Sequence, residues 1–156
     1  MEIERKYLIK GISGKMPWQR QGIHSSLLQQ GYLHNSDNAV VRVRTADNRG
    51  FLTIKGKTEN ACRKEFEYEI PLTEAIEMLA LCQGSTISKR RYYLDHMGFI
   101  WEIDVFSGDN AGLVVAEIEL KAPDQIFPEP PWLGKDVTHD PKYYNSNLVL
   151  CPFCRW

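Results

Sequence analysis

A chain of 156 residues fits a single domain, 1–156, and is long enough to bury a core of its own. Its apolar fraction of 43% and charged fraction of 25% are ordinary for a globular protein. The net charge of −1 argues against non-specific binding to nucleic acid or to a membrane surface. The apolar runs are far shorter than a membrane span and the opening MEIERK is not a signal sequence, so a cytoplasmic location is expected.

In chain order, Gly, Asn, Asp and Pro divide most of the sequence into short strands. These are predicted over Glu2–Lys10, His24–Leu33, Val40–Ala46, Phe51–Gly56, Arg63–Ile70, Ser88–Leu94, Phe99–Phe106 and Leu113–Lys121. Asn48–Gly50 and His96–Gly98 read as hairpin turns, with Gly supplying a positive φ. Thr73–Cys82 reads as a helix capped by Thr73, with Ile76, Leu79 and Ala80 as its apolar stripe. The four prolines of Pro123–Gly134 mark a connection, and a short helix is expected near Tyr143–Leu150. Cys62 and Cys82 read as small, semi-buried residues. The terminal Cys151-x2-Cys154 lacks a second ligand pair for zinc and reads as an inert tail. Eight strands with local connections and few helices predict a mainly β fold: a closed, eight-stranded antiparallel barrel with a few flanking helices.

Residues two apart on a strand share a face. Glu2, Glu4 and Lys6 therefore point one way and Ile3, Tyr7 and Ile9 the other. Arg42 and Arg44 alternate with Val41 and Val43, and Lys55 follows Thr53 across Ile54. Arg63, Glu65, Glu67 and Glu69 alternate with Phe66, Tyr68 and Ile70, while Lys89 and Arg91 precede Tyr92. Glu102 and Asp104 are interleaved with Trp101, Ile103 and Val105, and Glu117 and Glu119 with Ala116, Ile118 and Leu120.

A sheet with one face on a core and one in water accounts for any single strand of this kind. It does not account for charged faces nearly free of Ser, Thr, Asn and Gln, nor for signs sorted strand by strand. A concave surface lined by both signs suits phosphoryl chemistry. Carboxylates are the hard ligands that Mg2+ or Mn2+ prefers, and Lys and Arg grip phosphate oxygens. A transmembrane barrel also has a polar interior, but Arg5 would then face lipid, and Trp and Tyr do not form two girdles.

These residues resemble the CYTH superfamily, the triphosphate tunnel metalloenzymes. Glu2-Ile3-Glu4-Arg5-Lys6 is similar to its ExExK signature, Arg42-Val43-Arg44 to RxR and Thr53-Ile54-Lys55 to TxK. Arg63-Lys64-Glu65-Phe66-Glu67 resembles RxExE, and Lys89-Arg90-Arg91-Tyr92 resembles KxRY. Glu102-Ile103-Asp104 and Glu117-Ile118-Glu119 resemble the ExD and ExE strands, and Val137-Thr138 with Tyr143, Asn145 and Leu148 resembles the C-terminal segment.

The resemblance implies a charged tunnel in which Mg2+ or Mn2+ assists a reaction on a triphosphate. It assigns the metal to Glu2, Glu4, Glu117 and Glu119, with Glu102 and Asp104 beside them. Lys6, Arg42, Arg44, Lys55, Lys89 and Arg91 would hold phosphate oxygens, Arg63 would support the phosphate end, and Lys142 would add a contact. Glu65 and Glu67 would order the water on the metal side.

The family includes triphosphatases and class IV adenylyl cyclases. Cyclisation needs a base pocket, and with Glu2 directly after Met1 no N-terminal extension is expected to supply one. Hydrolysis of inorganic tripolyphosphate is the favoured reading. Cyclic AMP formation from ATP and a non-catalytic polyphosphate- or nucleotide-binding module are the alternatives. The expected partner is a small-molecule triphosphate, without nucleic acid or membrane, and homodimerisation is left open.

Overall fold

The computed structural model describes residues 2–11, 16–59 and 62–156. Nine strands form one antiparallel sheet: β1 (Glu4–Ile9), β2 (His24–Asn35), β3 (Ala39–Ala46), β4 (Arg49–Glu59), β5 (Cys62–Ile70), β6 (Gln83–His96), β7 (Phe99–Phe106), β8 (Val114–Glu119) and β9 (Leu133–Asp136). Their order is β5-β4-β3-β2-β6-β7-β8-β1-β9. The eight predicted strands are all present, most of them longer than predicted; the ninth lies at the end of the proline-rich connection.

The sheet is strongly curled but open, which corrects the expectation of a closed barrel. The reason lies in β1. In a closed eight-stranded barrel its outer edge would pair with β5, but β9 takes that edge through Tyr7↔Asp136 and Ile9↔Leu133. Among the described residues β5 is left with β4 as its only neighbour in the sheet. The depth of the curl is visible in one contact. Lys55 of β4 and Glu2, just ahead of β1, stand 3.0 Å apart although five strands separate β4 from β1 in the sheet order.

The main core lies on the face opposite these charges. Tyr7, Trp101, Ile103, Ala116 and Ile118 come from β1, β7 and β8. They are covered by Trp18 from a 3-10 turn at Pro17–Gln19 and by Phe127 and Trp132 from the proline-rich connection. The fully buried Trp101 ring meets Tyr7, Phe127 and Trp132 edge-on at centroid distances of 5.7, 5.5 and 5.3 Å, a geometry that aromatic quadrupoles favour. A second cluster closes one end of the curl. There the charged face turns apolar at Ile87, Phe106 and Val115, and Leu148 and Val149 at the end of a short helix, α2 (Asn145–Leu148), pack onto it.

The other helix, α1 (Leu72–Leu79), lies against β2, β3 and β4. Thr73 does not cap it: Pro71 holds the N-cap position without a side-chain bond. Ala75 is its buried residue and Ile76 is exposed, so the apolar stripe runs one position away from the one predicted. Gly50 explains the close approach. A β-carbon there would stand 2.7 Å from that of Ala75. Gly50 is therefore a packing residue rather than the turn glycine, and the positive φ of that hairpin falls on Asp47. The His96–Gly98 turn has positive φ at both Met97 and Gly98, the hairpin geometry expected of a two-residue loop. Cys82 is half-buried and Cys151 and Cys154 are exposed, while the side chain of Cys62 lies outside the described residues. No helix among the described residues is long and apolar enough to cross a membrane.

Candidate active site

The curl encloses a cavity of about 830 Å³. Alternation on β1, β3, β4, β5, β6, β7 and β8 delivers one charged row from each strand to its wall. Six cations line it (Lys6, Arg42, Arg44, Lys55, Arg63, Arg91), along with seven carboxylates (Glu2, Glu4, Glu65, Glu67, Glu102, Glu117, Glu119). All but three of the residues singled out in the sequence therefore meet in one place.

The acidic wall is made by β7, β8 and β1. Strand pairing sets Glu102 beside Glu117 and Glu4 beside Glu119. Lys6 sits among them, its Nζ 2.5 Å from Glu117 Oε1 and 3.6 Å from Glu4 Oε1. Burial acts to discharge Lys6, but Glu117 and Glu4 outweigh it and hold its pKa above the usual value. Burial likewise opposes ionisation of Glu117, and Lys6 and Arg91 overcome it, so this carboxylate stays charged. Glu4 has less compensation. Burial, reinforced by Glu117, lifts its pKa to about 7. Burial also raises Glu102, against the pull of Arg91. Glu2 goes the other way, because Lys55 outweighs the cost of its burial.

Arg91 forms the floor. Its guanidinium donates to Asp104 Oδ1 and Oδ2 at 2.7 and 2.8 Å, and it also contacts Glu102 at 2.6 Å and Glu117 at 3.3 Å. Asp104 and Lys89 are fully buried and do not line the cavity. Lys89 Nζ lies 2.7 Å from Asp104 Oδ2 and donates to Asn145 Oδ1 of α2 at 3.2 Å. As placed, the two residues hold Arg91 and α2 in position from behind the wall, rather than contacting metal or phosphate. Burial, only partly offset by Asp104, lowers the pKa of Lys89 to about 8. Lys142 is the third residue outside the cavity, with its Nζ 4.0 Å above the Trp156 ring.

The basic wall is made by β3, β4 and β5. Arg42 donates to the buried Thr53 hydroxyl at 3.2 Å, stands 3.6 Å from Glu67, and keeps a buried Nε without a partner. The Thr53 hydroxyl in turn donates to Glu67 Oε1 at 2.9 Å. Among the described residues Arg44 is held by Gln30 alone, whose Oε1 accepts from Nε at 3.0 Å and from Nη2 at 2.8 Å. Burial, and then Arg42, lower the pKa of Arg44 to about 10. Lys55 bridges to Glu2 and, at 4.0 Å, to Glu65, while Arg63 donates to the Gly56 carbonyl at 2.7 Å.

Gln30, Tyr32 and Ser146 were not legible as site residues. Ser26, Leu28, Gln30 and Tyr32 alternate as an ordinary buried strand face, and only the pairing of Gln30 with Arg44 across β2 and β3 brings them to the site. Thr138, Tyr144 and Asn145 also line the cavity, whereas Tyr143 packs on Trp156. Among the described residues no three carboxylates stand close enough to ligate one ion as their side chains lie. The set is nonetheless all hard oxygen, crowded by strand pairing, and in Glu4 short of positive charge, which suits a divalent cation.

Residues 1–146 match the CYTH domain family. An inorganic triphosphatase of Acetivibrio thermocellus is 44% identical over 97% of this chain and 95% of its own length. An inorganic triphosphatase of Nitrosomonas europaea is 33% identical over 96% of this chain and 97% of its own. Among solved structures, that of an inorganic triphosphatase superposes with a TM-score of 0.69 at 32% identity, covering 96% of this chain and 95% of the other. A Hippeastrum protein described as having a dominant triphosphatase activity shares the fold, with a TM-score of 0.58 at 18% identity over 80% of this chain and 81% of the other.

Proposed function

This chain belongs to the CYTH family, and from that premise and the cavity chemistry we propose that it hydrolyses inorganic tripolyphosphate with the help of Mg2+ or Mn2+. The observation that carries the reading is the unequal treatment of the two walls. Arg44 enters the cavity against a neutral amide and Arg42 against a hydroxyl with Glu67 3.6 Å away, so their charge is largely available to an anion, and they face a bank of carboxylates across it. A triphosphate carries about four negative charges near neutral pH. Six cations already balanced by seven carboxylates cannot absorb that charge alone. Divalent cations held by Glu4, Glu119, Glu102 and Glu2 would supply the balance, with Glu117 partly neutralised by Lys6.

A bound Mg2+ or Mn2+ polarises phosphoryl oxygens and lowers the pKa of a coordinated water. The protein's own part is positioning. Arg42, Arg44, Lys55 and Arg63 grip the chain of phosphates from one wall, Arg91 and Lys6 meet it from the floor, and Glu65 and Glu67 orient water at the rim. Such preorganised charge needs no reorganisation as negative charge shifts to the leaving group.

The test is phosphate release from tripolyphosphate, ATP and pyrophosphate, with and without chelator, alongside a cyclic AMP assay. Metal-dependent cleavage of tripolyphosphate is expected, with pyrophosphate poor because it is too short to span both walls. Faster turnover of ATP than of tripolyphosphate, with cyclic AMP as product, would replace this reading with the cyclase one.

A further inference from the structure

Gln30 lies outside every motif that marks the charged rows, yet it is fully buried and touches one of the phosphate-facing cations directly. Its orientation is not arbitrary. Arg44 has donors only, so the atom facing it at 2.8 and 3.0 Å must be the amide oxygen. The amide nitrogen then points to Tyr32 Oη, 3.3 Å away. A half-buried arginine such as Arg44 is ordinarily fixed by a carboxylate, which meets its fork with two charge-assisted bonds. Here the fork is met by a neutral amide oxygen, and among the described residues Arg44 makes no ion pair. Every other cation on the cavity wall except Arg63 has a carboxylate within 4.0 Å.

We propose that Gln30 gives the Arg44 guanidinium a neutral partner that leaves its charge uncompensated, so that the substrate's phosphate becomes its counterion. An isosteric glutamate in the same place would keep both hydrogen bonds and cancel the charge. The depressed pKa of Arg44 agrees with this, since burial beside Arg42 is a setting in which a cation gains most from an arriving anion. The inference rests on the triphosphatase reading for the identity of the anion, but it concerns binding rather than turnover.

Calorimetric titration of tripolyphosphate into wild type, Gln30→Glu and Gln30→Met, in chelator so that no metal contributes, separates charge from shape. Gln30→Glu should bind at least tenfold more weakly while its thermal midpoint stays at or above that of wild type. Gln30→Met keeps neutrality and volume but removes the acceptor, and should bind within about threefold of wild type. A role confined to shape or hydrogen bonding gives the reverse order, with the methionine variant the weaker, and overturns the proposal. If Gln30→Glu does not fold, Gln30→Met decides alone: a loss beyond threefold is the overturning result. Binding by wild type without turnover once Mg2+ or Mn2+ is supplied removes the hydrolytic reading and leaves this one standing. If wild type does not bind in chelator, the titration is repeated with Ca2+ occupying the carboxylates in place of the catalytic metal, and no binding then removes both.

Discussion

On the wall built by β7, β8 and β1, the buried carboxylates lie against cations that the fold itself supplies: Glu117 against Lys6 and Arg91, and Asp104 against Arg91 and Lys89. On the facing wall, Arg44 leans on an amide alone among the described residues, and Arg42 leans on a hydroxyl with Glu67 3.6 Å away. Both walls came from the same alternation of charged and apolar residues, and nothing in that pattern separates them. The difference teaches which charges are structural and which are available. A buried charge with a close opposite partner gains less from a ligand than one held by neutral groups.

The largest effect should come from removing the least compensated carboxylate. Glu4→Gln is expected to reduce metal-dependent turnover by at least a hundredfold without unfolding the protein, read by steady-state phosphate release. The same change tests the sign of its pKa shift. The usual value of 4.5 rises to about 7 in the fold, so between these limits the native state holds more protons than the unfolded one. Stability of the metal-free protein should therefore fall as pH rises through that window. Urea titrations in chelator should show that decline in wild type and a flatter profile in Glu4→Gln.

Next in size are the cations of the opposite wall. Arg42→Ala and Arg44→Ala should each lower kcat/KM roughly ten- to a hundredfold, as expected for contacts worth about 1.5–3 kcal/mol. The loss should be the same for tripolyphosphate and ATP, because these side chains read phosphate oxygens only. A loss confined to ATP would break the symmetry on which the comparison rests.

Lys89→Met probes the satisfied side. Asp104 keeps its two bonds from Arg91, so the cost should be limited to about 1–3 kcal/mol of stability, seen as a lower thermal midpoint. The lysine's pKa drops in the fold from 10.5 to about 8, so the native state holds fewer protons in that range. Wild-type stability should gain a rising component between about pH 8 and 10.5 that the methionine variant lacks. The smallest effect is expected for Lys142→Ala, whose ammonium rests on Trp156 outside the cavity. Its kcat/KM for tripolyphosphate should stay within about twofold of wild type, and a tenfold loss would bring Lys142 back to the phosphates.

Strand content, the charged and apolar faces, and the charged residues that meet in the cavity were all present in the sequence, because a period of two is a local property that each strand states for itself. Glu2, Glu4, Lys6, Arg42, Arg44, Lys55, Arg63, Glu65, Glu67, Arg91, Glu102, Glu117 and Glu119 were identifiable on that basis and do line one cavity. Depth was not legible. Asp104 is two residues from Glu102 on the same strand and face, yet it is fully buried, because only the packing of α2 and the apolar end of the curl sets how far along each strand the cavity extends. Nor was closure legible, since it turned on a four-residue strand, β9, taking an edge of β1 that local pattern left free. Gln30 carries no charge to mark it, and its part depends on lying across from Arg44, a neighbour that strand pairing alone provides. Alternation assigns a side chain to a face, and tertiary structure decides whether it meets water, substrate or another side chain there.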